Sequence, residues 1–203
     1  MPSMTNCSIG YKAMTTTRKS PIAHLVADAP APVQAALHHP VDMVKLGAKG
    51  PRLVEWAEQH ALALPARIYD TRPVGAEGVL ARVGTGELIL ECWPADELWA
   101  RLNAALEAAE AGVYRVEQQS ATLVVQGDDA ESILAQACAV DLAREPAERM
   151  VYTQVAGAAC GVLPCGEDGQ RAYRLWVDYS LAAYLWEALA AIAADITCAK
   201  TPD

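Results

Sequence analysis

The clearest alternation of apolar and polar positions lies in the last third of the chain. Residues 150–155 and 160–165 read as strands, and residues 171–177 as a third, with Tyr173, Leu175 and Val177 on one face. Gly166-Glu167-Asp168-Gly169 reads as the turn before the third strand, glycine supplying positive φ and Asp local capping. Asp178 or Ser180 then caps a helix expected to run to about residue 194. Leu181, Tyr184, Leu185, Ala188, Leu189 and Ile192 recur along it at three- and four-residue spacing, one apolar stripe. Three short strands feeding an amphipathic helix make a layered α/β unit.

The same order precedes it. Pro21, Pro30, Pro32 and Pro40 mark an irregular lead-in with a short helix at 33–38. Residues 41–48 read as a strand. A helix follows with Pro51 in its first turn and Leu53, Val54, Trp56, Ala57 and His60 along it. A short strand at 67–69 leads to a loop with Pro73, Gly75 and Gly78. Two strands, 78–83 and 87–92, flank the hairpin signal Gly84-Thr85-Gly86. A helix over 95–111 carries Leu98, Trp99, Leu102, Ala105 and Leu106 and stops at Gly112. The second half reopens with a strand at 122–126, and Gly127-Asp128-Asp129 caps a helix over 130–140. Superimposing Gly127 on Gly47 brings Ile133 onto Leu53 and Leu134 onto Val54. At the closing helices Leu185 falls on Leu98 and Leu189 on Leu102. The expectation is an α+β fold of two repeated, ferredoxin-like β-α-β-β-β-α halves. Residues 20–116 and 117–197 form the halves of one compact unit, between tails at 1–19 and 198–203. Leu53, Val54, Ile133, Leu134, Leu185 and Leu189 are the expected core.

Composition narrows the function. The 203 residues carry a formal net charge of −9 and a pI near 4.9, which argues against nucleic acid or an anionic membrane as partner. Hydrophobic residues are 53% and mean hydropathy is +0.10, much of it alanine; a surplus of apolar surface could serve a partner protein. No apolar run reaches the ~18 residues of a membrane span, so no membrane is expected. Residues 1–19 lack the apolar core of a signal peptide, and Met4 and Met14 are alternative starts. Six cysteines form no CxxC pair, and Cys160 and Cys165 face opposite ways on one strand. They read as reduced thiols of a cytoplasmic protein.

Signature chemistry is missing. There is no G-x-G-x-x-G, no phosphate-binding loop and no G-x-S-x-G elbow. His38-His39 point apart in any regular structure and read as a solvated loop rather than a metal site. His24 and His60 have no acid or thiol cluster beside them. Glu97, Glu107 and Glu110 read as a solvated helix face, Asp128-Asp129 as a cap, and Asp141 as a carboxylate binding the amides of the next turn. Cys138 lies between Ala137 and Ala139 with no basic neighbour to activate it, and reads as a core thiol.

Several stretches carry a family resemblance. Gly157-x-x-x-Gly161-Val162-Leu163, Tyr173-x-Leu175-x-Val177 and Ser180-Leu181-x-x-Tyr184-Leu185-Trp186-x-x-Leu189 resemble the gamma subunit of heterotetrameric sarcosine oxidase. Gly127-Asp128-Asp129-Ala130 through Ile133-Leu134-Ala135, Cys138 and Asp141-Leu142 is similar to the same family, as is Ser20-Pro21-Ile22. Leu181 and Ala188 depart from it, standing where the family often has Phe and Trp. The resemblance implies an aminomethyltransferase-like fold and a non-catalytic subunit of a hetero-oligomer. That complex oxidatively demethylates an N-methyl amino acid and passes the one-carbon unit to tetrahydrofolate. FAD, FMN, NAD, zinc and tetrahydrofolate would then belong to the larger flavoprotein subunits, and no catalytic, cofactor or metal residue to this chain. Alternatives are a stand-alone folate-binding aminomethyltransferase-like protein, or the equivalent subunit of an N-methylglutamate dehydrogenase. Aminomethyltransferases carry an acidic residue on a strand at the folate; here that position falls near Cys160-Gly161, and no Asp or Glu lies between Val151 and Gly166. Trp186 leaves the Tyr184, Leu185, Leu189 stripe by its helical angle, and Trp99 behaves alike after Leu98. Each is either packed against a neighbouring element, the safer reading in a chain of this size, or presented to a partner, which makes Trp186 and Trp99 the candidate partner-interface residues.

Overall fold

The computed structural model describes residues 20–166 and 172–200. The turn at 166–169 lies, beyond Gly166, outside the described residues, as does the 1–19 tail.

The first half runs β2 (Val44–Lys49), α3 (Leu53–Gln59), β3 (Thr71–Val74), β4 (Gly78–Gly84), β5 (Glu87–Cys92) and α4 (Glu97–Glu107). The second runs β7 (Ser120–Gln126), α5 (Ala130–Ala137), β8 (Val151–Val155), β9 (Ala158–Cys165), β10 (Ala172–Asp178) and α6 (Ala182–Lys200). The repeated β-α-β-β-β-α order is therefore real. Before them come α1 (Ala23–Asp28), α2 (Ala31–Ala36) and β1 (Leu37–His38), and between them β6 (Tyr114–Val116). Each sheet has five antiparallel strands: β3-β4-β5-β2-β6 in the first, β8-β9-β10-β7-β1 in the second. The fifth strands are exchanged. β1, ahead of the first half, pairs with β7; β6, ahead of the second half, pairs with β2.

Side-chain alternation turns the two sheets into four layers. Leu46, Ala48, Leu80, Leu88 and Leu90 point outward to a core with Leu53, Trp56, Leu102 and Leu106 of α3 and α4. Leu123, Val125, Val162, Leu175 and Val177 point outward to a larger core with Ile133, Leu134, Leu185 and Leu189, which the lead-in joins through Ile22, Val33 and Leu37. Between the sheets, Ala81 and Ile89 of the first meet Met150, Leu163 and Trp176 of the second.

Several expectations change. The helix superposition is shifted by three residues. Buried Leu53, Trp56 and Ala57 of α3 match buried Ala130, Ile133 and Leu134 of α5. Ile133 thus corresponds to Trp56, and Val54 is 44% exposed rather than core. Gly47 lies inside β2 beside Val116 and Gln118, where a Cβ would clash, and is not the counterpart of the turn residue Gly127. The strand expected at 67–69 is at Thr71–Val74, an edge strand that tolerates Pro73. α6 runs six residues past its expected end. Its buried face is Ala182, Leu185, Trp186, Leu189 and Ala193, which leaves Tyr184 and Leu181 exposed. By length and composition Tyr179–Lys200 is apolar enough to cross a membrane, which the run-length reading overlooked; its Leu185, Trp186 and Leu189 face is packed in the second core.

Candidate functional site

The inner faces of the sheets are not purely apolar. Lys45 on β2 and Glu91 on β5 face Thr122 on β7 and Arg174 and Trp176 on β10. Glu91 is 1% exposed. One carboxylate oxygen accepts from Lys45 Nζ at 3.0 Å and from the Thr122 hydroxyl. The other accepts from an Arg174 terminal nitrogen at 3.0 Å and Trp176 Nε1 at 2.9 Å. Lys45 Nζ donates further to Ser120 O at 2.9 Å and Thr122 Oγ1 at 2.6 Å, and Arg174 donates to Glu77 O at 2.7 Å. Burial alone would raise the Glu91 pKa. Lys45 and Arg174, helped by the Thr122 and Trp176 hydrogen bonds, outweigh it and hold the carboxyl below its ordinary value. Two cations and one anion are thus shared between halves, every Glu91 oxygen doubly satisfied.

At one end of this cluster lies a cleft lined by Ser20, His39, Met43, Lys45, Thr122 and Tyr179, among others. His39 Nδ1 donates to Thr122 O at 2.6 Å, so Nε2 of the neutral ring accepts from Ser20 Oγ at 2.8 Å. His38 is solvent-exposed as expected but lies on β1 rather than in a loop, and the solvated reading fails for part-buried His39. The signal was available only as Pro40 closing a short strand. Neither histidine joins a metal cluster: among the described residues no three His, Cys, Asp or Glu side chains are grouped to hold an ion.

The folate-strand position is a packed one. Cys160 points into the second core, its thiol pushed up to about 11 by burial, and Gly161 faces the other sheet. A Cβ on Gly161 would come within 3.1 Å of Met150 Sδ and 3.3 Å of the Tyr152 ring. An acidic side chain has no room unless both neighbours yield, so the residues present do not fit a folate held in that manner. The other singled-out residues are structural. Cys138, at the C-cap of α5, is buried 3.8 Å from Thr153 Oγ1. Asp141 pairs with Arg144 at 2.9 Å instead of capping a turn, and Asp129 pairs with Lys200. His60 lies 3.3 Å from Glu110.

Of the two alternatives for Trp186 the structure shows packing: its indole is 2% exposed inside the second core, because α6 is apolar nearly all round and turns a different stripe inward. Trp99 is partly buried against the first core. The large exposed aromatics are elsewhere. Tyr69 and Tyr152 meet edge-on at 5.5 Å where the two halves join, with Ile68 beside them. Tyr69 has φ +72, fixed by its amide donating to Arg82 O at 2.6 Å and its carbonyl accepting from Met150 N at 2.7 Å.

No protein-family model matches the sequence, and no curated protein matches it either. Solved structures do. A chain of the heterotetrameric sarcosine oxidase from Corynebacterium sp. U-96 superimposes with a TM-score of 0.73 at 20% identity, covering 92% of this chain and 100% of that one. The aminomethyltransferase T of the glycine cleavage system from Bartonella henselae superimposes with a TM-score of 0.60 at 16% identity, over 75% of this chain and 44% of that one. The chain therefore has the aminomethyltransferase-like α+β fold, and spans under half of that second protein's length.

Proposed function

We propose that this chain is a small, non-catalytic assembly subunit of a flavin-dependent complex resembling heterotetrameric sarcosine oxidase, acting on an N-methyl amino acid. The observation that carries this reading is Gly161. Where the resemblance calls for a folate-side acid, the chain has a glycine whose side-chain space Met150 and Tyr152 already occupy. The inter-sheet volume around it is taken by Ile89, Leu163 and Trp176 and by the satisfied Glu91 cluster. The chain-length superposition on a component of a heterotetramer supports the same reading.

On this reading FAD, FMN, NAD, zinc and the tetrahydrofolate step belong to larger partner chains in a cytoplasmic hetero-oligomer. The contribution of this chain is a rigid folded surface. The second reading, a stand-alone folate-binding protein, is favoured by the likeness to aminomethyltransferase T. Calorimetric titration of the isolated chain with tetrahydrofolate separates them: no heat of specific binding is expected, and stoichiometric binding would replace the first reading by the second.

A further inference from the structure

We propose that His39 is a pH-sensitive latch for the lead-in, residues 20–40, holding it on the second half while the imidazole is neutral and releasing it when the ring is protonated. The proposal stands apart from the function proposed above.

β1 is only two residues long, with Leu37 opposite Val125 and His38 opposite Val124. Continuing that register sets Pro40 opposite Thr122, and proline has no N–H to give. The His39 ring supplies the missing donor, Nδ1–H to Thr122 O at 2.6 Å. Its other nitrogen accepts the Ser20 hydroxyl at 2.8 Å, and Ser20 Oγ in turn accepts from Ile22 N at 3.2 Å. One neutral imidazole thus ties the first turn of the lead-in, the end of β1 and β7 together. What it holds down is substantial, since Ile22, Val33 and Leu37 are all buried in the second core.

A protonated ring has no acceptor left, so the Ser20 contact must reverse, with Nε2–H donating to the hydroxyl, and the new charge sits on Thr122 O beside Lys45 Nζ, which already holds Thr122 Oγ1 and Ser120 O. The surroundings oppose the added charge. His39 is part-buried. Lys45 from β2 is a neighbouring cation, His38 from β1 adds to it when charged, and Glu91 from β5 is already matched to Lys45 and Arg174. Ser120 and Tyr179 complete the cleft as uncharged groups. Desolvation, then Lys45 and His38, push the imidazole below its ordinary 6.5, against the Thr122 hydrogen bond and Glu91. A basic group depressed in the docked state contributes stability above the undocked pKa. That stability is lost as pH falls below 6.5 and through the docked value.

Hydrogen exchange of the whole chain between about pH 8 and about pH 5, where histidine is the unperturbed side chain that changes charge, tests this. Corrected for intrinsic exchange, the opening constant of peptides within residues 22–37 should rise on acidification, by about tenfold per pKa unit between docked and undocked His39. Peptides of β9 and β10 should not respond. His39→Asn keeps a donor near the Nδ1 position and cannot titrate, so its lead-in should open independently of pH. Ser20→Ala should keep the pH response while opening more at every pH. A flat wild-type profile overturns the latch, as does a His39→Asn chain with the wild-type response or equal opening of β9 and β10. If His39→Asn fails to fold, the wild-type ring itself decides: an NMR titration midpoint below 6.5 supports the latch, and one at or above 6.5 overturns it.

Discussion

Glu91 lies on β5, where its neighbours Leu88 and Leu90 face the helices, and parity alone turns it to the opposite sheet. Nothing local in the sequence announces that Lys45 and Arg174 meet it, because their separations along the chain are long and the pairing needs both sheets in place. Removing one member of a buried ion cluster leaves the others charged and unmatched, so Glu91→Ala should cost ~3 to 5 kcal/mol in denaturant melts. A loss under ~1 kcal/mol would mean that water reaches the cluster. With the carboxyl held below its ordinary 4.5, the stability it contributes is present above that value and lost as pH falls below it. Glu91→Gln should flatten that acid limb. Gly161 and Trp186 show the two sides of legibility at this scale. The missing acid was visible in the sequence because it is a matter of residue type. The burial of Trp186 was not, because a helix apolar on most faces gives no unique inward direction.

At the scale of elements, β4, β5, β7, β8, β9 and β10 follow from their period-two patterns, and the hairpins from their turn residues. β1 and β6 do not: with two and three residues they have no period to read, and they exist only because another strand's edge awaits them. The β8–β9 hairpin is a case of sequence and tertiary structure acting together. Ala156 and Gly157 both have positive φ, 49° and 82°, as a two-residue turn of this hand requires. Ala156 adopts it at a steric cost, and Tyr184 of α6 donates its hydroxyl to the Ala156 carbonyl at 2.7 Å. Tyr184→Phe should lower stability by ~0.5 to 1.5 kcal/mol, the net value of one hydrogen bond. Trp186→Ala, two residues on, should cost ~3 to 5 kcal/mol as a core truncation. Equal melting behaviour of the two variants would mean that the assigned face of α6 is wrong.

At the scale of the molecule, the exchange of β1 and β6 makes each sheet depend on a strand that precedes the other half. Residues 117–203 expressed without β1 should melt with little cooperativity and regain it on mixing with residues 20–116, which keep all five strands of their own sheet; an independently cooperative 117–203 fragment would mean that the exchange matters little. The duplication was legible from repeated apolar spacing, whereas the exchange was not, since it is a choice of partner rather than of pattern. If assembly is the role, the contact falls on aromatics the fold leaves outside, and Tyr69 and Tyr152 at the seam are the pair held there. Tyr152→Ala should weaken a complex with a larger flavoprotein chain by ~2 kcal/mol or more while the isolated chain stays folded. The most direct test of the proposed role is the native mass of the material purified through a tag on this chain after co-expression with the genes that flank its own. The expected result is a yellow hetero-oligomer that oxidises an N-methyl amino acid and contains one copy of this chain per set of larger chains. A colourless species composed of this chain alone, carrying stoichiometric folate, would contradict it.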